Sequence, residues 1–133
     1  MKSKAHFKGH PIHPILVCFP IAFYIGTLLF DILGQVNDRP EFFTIAYYLE
    51  LSGIVATLAA AIPGLIDYLY TIPPQSSAKK RGAKHGLLNV GVLIVFTTAW
   101  FYRKTPDASI NFILLLELAG VIGLFFSGWM GGT

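Results

Sequence analysis

Charge is what this sequence has least of. Among 133 residues only 13% are Asp, Glu, Lys or Arg, while 54% are hydrophobic. A soluble domain usually has about a quarter of its residues charged. Mean hydropathy is +0.62, which points to a chain dissolved in lipid. The single cysteine, Cys18, excludes an internal disulfide framework and leaves the redox compartment unreadable. The first apolar run has no small-residue cleavage site, so no secretory signal is expected. The formal net charge of +3 is too small to suggest nucleic acid. The length suggests a single domain, residues 1–133.

What the chain does have is four long apolar runs. Residues 1–9 are polar and basic, and about twenty apolar residues follow, interrupted only by Asp31 near the end. At about 1.5 Å per residue such a run just spans a hydrocarbon core. The expected spans are approximately 14–34, 42–72, 85–102 and 110–130. Pro11 and Pro14 suit a first helical turn, where a missing N–H costs nothing. Pro20 lies deeper and is expected to bend its helix. The second run is longer than spanning requires, and Pro63-Gly64 is its expected break. Residues 75–84 read as a polar loop. Continuous apolar runs favour helices over membrane strands, which would alternate over about ten residues. The fold expected is therefore all-α: a polytopic bundle of four transmembrane helices.

Four spans put both termini on one side. Lys2, Lys4, Lys8, Lys79, Lys80, Arg81 and Lys84 share that side, against Arg39, Arg103 and Lys104 on the other. The positive-inside rule then places both termini in the cytoplasm of a bacterial inner membrane. Small residues recur every four positions: Gly53, Thr57 and Ala61; Ala56, Ala60 and Gly64; Ala119, Gly123 and Ser127. This spacing lets helices pack closely, either within the bundle or across a homodimer face.

The polar groups inside the apolar layer carry whatever chemistry there is. His10, His13, Asp67, Tyr68, His85 and Asn89 come from three spans and converge on one depth, near the same end. Ionisable groups within a span cost several kcal/mol unless paired, so they face the bundle interior by default. His10, His13, Asp67 and His85 form a candidate transition-metal set. Two imidazoles from separate helices, His13 and His85 with His10 as substitute, equally suit the two axial positions of a haem iron. Against both stands the plainer role of capping helix ends or hydrogen-bonding to Asp67. Cys18 lies a little over one turn beyond His13; it is either core packing or a soft-metal or haem ligand. Tyr68 is the best aromatic candidate for stacking on a cofactor, and the other span-end aromatics read as an interfacial belt. Asp31, Glu50 and Glu117 lie toward the opposite side, where Glu117 is expected to pair or to hold a proton.

The opening Gly9-His10-Pro11-Ile12-His13-Pro14, followed by Leu16-Val17 and Phe19-Pro20-Ile21-Ala22, resembles a family of small prokaryotic four-helix membrane proteins of unknown function. The resemblance extends to Gly64-x-x-Asp67-Tyr68 and to His85-x-x-x-Asn89, so it covers essentially the whole chain. Some relatives in that family resemble fusions with Rieske-type iron–sulfur domains, which implies electron transfer. Relatives often have histidine where this chain has Cys18, so this position departs from the family's pattern.

Three readings follow. The first is a haem b protein with ligands at the cytoplasmic end, passing electrons to a redox partner or a quinone; Lys79, Lys80, Arg81 and Lys84 would neutralise the propionates. The second is a metal-binding or sensing protein built on His10, His13, Asp67 and His85. The third is a scaffold or accessory subunit in which the polar cluster holds helices in register. A self-contained enzyme is not the expected role.

Overall fold

The computed structural model describes residues 1–132. Two short strands, β1 (His6–Phe7) and β2 (His10–Pro11), pair antiparallel ahead of the first helix. Their turn takes positive φ at Lys8 (49°) and Gly9 (86°), the combination a two-residue hairpin requires. Five helices follow: α1 (Ile12–Leu16), α2 (Cys18–Asn37), α3 (Pro40–Tyr70), α4 (Ser77–Tyr102) and α5 (Ile110–Gly132). α1 and α2 together form one span, so four segments are long and apolar enough to cross a membrane. The all-α four-span architecture is as the hydropathy pattern predicts.

Three local features differ from the sequence reading or refine it. The helical run is interrupted at Val17, between α1 and α2, one turn before Pro20, whose ring nitrogen offers no donor to the Leu16 carbonyl. Pro63 does not break its helix: α3 runs through it for 31 residues. In a bundle, neighbouring groups take up the carbonyls that an internal proline frees, so the helix continues. Of the polar stretch 75–84, residues 77–84 are helix and not loop. Ser76 caps α4 by accepting from Lys79 N–H at 3.0 Å, and the Ala, Lys and Arg that follow are good helix formers. Lys79, Lys80, Arg81 and Lys84 therefore ride on the first two turns of α4, not in a connection.

The helices pack in sequence order around the bundle, α2 on α3 and α4 on α5 most extensively, with α2 on α5 and α3 on α4 closing it. At mid-depth the Tyr24 and Phe96 rings stack with centroids 3.8 Å apart and planes 9° apart. Tyr24 sits against Gly53 of α3, and Phe96 against Gly120 of α5. Gly53 and Gly120 thus serve as sockets for side chains from inside the same bundle. The outer surface is apolar, with Ile25, Leu29, Val55, Leu58, Ile94 and Phe125 all exposed. The buried interior holds Thr27, Asp31, Glu50, Glu117 and Ser127. Apolar outside and polar inside is the distribution lipid solvation selects.

Candidate functional site

Two polar centres occupy opposite ends of the bundle. The first joins His13 of α1 and His85 of α4, whose ring centroids lie 6.1 Å apart with planes 89° apart. His13 Nδ1 lies 2.8 Å from the carbonyl of Ala60. A carbonyl only accepts, so Nδ1 carries the hydrogen, and in the neutral imidazole Nε2 then keeps its lone pair. That carbonyl is next to the one deprived of its helical donor by Pro63, and Gly64 gives the imidazole room: a Cβ there would lie 2.8 Å from His13 Nδ1.

His85 repeats the pattern on α5. Its Nδ1 donates to the Ser127 carbonyl at 3.0 Å, with Ser127 Oγ at 3.1 Å. Ser127 Oγ donates to Asn89 Oδ1 at 2.8 Å, and Asn89 Nδ2 lies 3.0 Å from His85 Nε2. Every donor in this ring meets an acceptor only if His85 is neutral with its hydrogen on Nδ1. The structure therefore brings His13, His85 and Asn89 into one layer, three of the six residues that the sequence analysis groups there.

The other sequence candidates lie elsewhere. His10 is exposed in β2. Cys18 is exposed at the start of α2, its thiol donating to the Ile15 carbonyl at 2.9 Å. Asp67 is occupied by the N-terminal segment. Its carboxylate accepts from Ser3 Oγ at 2.7 and 2.8 Å, from Lys4 N–H at 2.9 Å, from Ala5 N–H at 3.2 Å and from Thr71 Oγ1 at 2.7 Å. Tyr68 has its ring beneath Lys79, whose ammonium lies 3.9 Å from the centroid and also donates to the Tyr68 carbonyl. Among the described residues, no group of three or more His, Cys, Asp or Glu is gathered as a metal site. His10, His13, Asp67 and His85 are thus not brought together as one set.

The second centre is one the sequence reading missed as a unit. Arg103, just past the end of α4, turns back into the bundle and is only 7% exposed at its side chain. Its Nε donates to Glu50 Oε2 at 2.8 Å. Its Nη2 reaches Asp31 Oδ2 and Glu117 Oε1, both at 2.7 Å. The three acids come from α3, α2 and α5, so one guanidinium ties four helices. Burial works against the charge of Arg103, but the hydrogen bond to Asp31 and the charges of Glu50, Asp31 and Glu117 outweigh it and raise its pKa. On sequence Arg103 counts as a loop cation. The available signal was that Asp31, Glu50 and Glu117 all lie toward the side with few cations. The two centres are roughly 27 Å apart along α4.

A family model described as "Predicted membrane protein (DUF2231)" matches residues 9–133, a match that begins at the Gly-His-Pro-x-His-Pro element. No curated protein and no solved structure matches the chain.

Proposed function

The chain belongs to the DUF2231 family of predicted membrane proteins, and from that premise we propose that it is a small haem-binding electron carrier of the bacterial inner membrane, with His13 and His85 as axial ligands. The observation that carries this is the pairing of two imidazoles, each with Nδ1 tied to a backbone carbonyl. Ligating histidines have their other ring nitrogen anchored in this way, which sets the tautomer and aims Nε2. The ring centres lie 6.1 Å apart, so His13 and His85 would hold a metal between them once both Nε2 atoms turned toward it. Two side-chain ligands leave a bare transition ion short of donors. They suffice for a haem, whose macrocycle supplies the remaining four and whose iron supplies one-electron chemistry.

The rest of the layer fits that use. Asn89 holds the His85 ring when nothing else is on Nε2, and its amide must turn aside for ligation. Lys80, Arg81 and Lys84 project from the first turns of α4 at the same end, where haem propionates would meet them. The seven-to-three cation bias puts this end in the cytoplasm. The electron partner is then a redox protein docked on the basic turns or a membrane quinone.

The test is a visible spectrum of gently purified protein, grown with haem supplied, oxidised and dithionite-reduced, with elemental analysis of the same sample. A Soret band with sharp reduced α and β bands is expected. It should be lost in His13→Ala and in His85→Ala and kept in His10→Ala and Cys18→Ala. A colourless, iron-free protein overturns the assignment. One observation favours a second reading, a scaffold or accessory subunit: the closed His85–Asn89–Ser127 ring uses both ring nitrogens of His85. That reading expects His85→Ala to lower stability in a protein that never carries colour. Metal binding through the full set His10, His13, Asp67 and His85 has no supporting juxtaposition.

A further inference from the structure

The Arg103 centre contains more acid than its cation can neutralise. Asp31, Glu50 and Glu117 are each 0% exposed, and one guanidinium faces all three. Among the described residues no second cation joins them. Lys104 Nζ lies over the Trp100 and Phe101 rings, and Arg39 pairs with Glu41.

The guanidinium is also short of hydrogens. Its best match is Asp31, which receives Nη2 at 2.7 Å and Nη1 at 3.4 Å on its two oxygens. Glu50 and Glu117 each receive one bond, on Oε2 and Oε1 respectively. Their other oxygens, Glu50 Oε1 and Glu117 Oε2, are buried and lack a hydrogen-bond partner. As anions, Glu50 and Glu117 would each hold buried negative charge on an oxygen that no donor meets, and a proton removes that charge.

We propose that Asp31, Glu50, Glu117 and Arg103 form an intramembrane proton-binding site, with Asp31 ionised against Arg103 and protons held on Glu50 and Glu117. The site lies at the end away from His13 and His85 and stands independently of the haem assignment. It gives the chain two exchangeable protons between four helices, at the end that carries the α2–α3 and α4–α5 connections.

Infrared spectroscopy of the full chain in lipid nanodiscs tests this at neutral pH. The expected result is a protonated-carboxyl C=O absorption that shifts in D2O. Glu50→Gln and Glu117→Gln should each remove about half of it, the double variant all of it, and Glu41→Gln none. Its absence from the wild-type protein, with and without sodium, overturns the proposal, as does its survival in the double variant. An absorption present only without sodium replaces the proton by a metal cation as resident ligand and equally overturns it. The wild-type spectrum alone separates ionised from protonated acid, so a variant that fails to fold does not blunt the test.

Discussion

Alanine at Gly120 probes how tightly the middle of the bundle is built. A Cβ there lands 2.5 Å from Phe96 Cε2 and 3.0 Å from Cδ2 and Cζ. Carbon atoms rest about 3.5–4.0 Å apart, so the ring must retreat by roughly 1 Å. It has nowhere to go. Tyr24 is stacked behind it at 3.8 Å, and Tyr24 is itself seated on Gly53, where a Cβ would lie 2.6 Å from Cε1. The Tyr24 hydroxyl is further held 2.9 Å from Thr57 Oγ1. The strain therefore passes through two rings into α2 and α3. Overpacking of this kind costs about 1–3 kcal/mol, and the upper half of that range is expected because both rings are backed. Relief of glycine's poor helix propensity returns up to about 1 kcal/mol. The net expectation is a destabilisation of about 1–2 kcal/mol, read by equilibrium unfolding in mixed detergent–SDS micelles. Gly91→Ala is the matched control: nothing lies within 4 Å of its Cβ position, so it should be neutral or slightly stabilising. Phe96→Leu should restore part of the loss in the Gly120→Ala background but destabilise the wild type, giving a favourable coupling between neighbours. If Gly120→Ala and Gly91→Ala unfold within about 0.5 kcal/mol of each other, the stacked core is not what sets the packing.

Other perturbations address the two ends. Arg103→Gln leaves the buried Asp31 carboxylate without its cation and should cost about 3–5 kcal/mol in the same unfolding assay; adding Asp31→Asn should return most of it. Asp67→Ala removes the acceptor for Ser3, Lys4 and Ala5. It should speed tryptic cleavage at Lys4 and Lys8 while leaving the bundle's unfolding midpoint nearly unchanged. Asn89→Ala opens the hydrogen-bond ring at His85, so it should favour haem uptake if Nε2 ligates, and only lower stability if the ring is structural. In a Cys18→Ser background, cysteines placed at Lys80 and at Asp107 should react with an impermeant maleimide from opposite faces of the membrane, Lys80→Cys from the cytoplasmic one.

The same residues show which parts of the protein could be read from the chain. Hydropathy is a sum over neighbours, so four apolar runs declared four spans, and the helical class followed because lipid offers the backbone no hydrogen bonds. The ends were less legible. A capping serine at Ser76 outweighed the polarity of the residues that follow it, and α3 runs on through Pro63. The layer of His13, His85 and Asn89 could be anticipated, since depth along a helix follows from counting residues. Which side chains meet within a layer depends on helix rotation and on which helices are neighbours, and that is a tertiary property. Tertiary structure moved Asp67 out of the imidazole layer and onto the N-terminal segment. It left His10 exposed in a hairpin. It also turned Arg103 from a loop cation into the tie between Asp31, Glu50 and Glu117, because a long side chain at a helix end can reach back to charges that have no other partner.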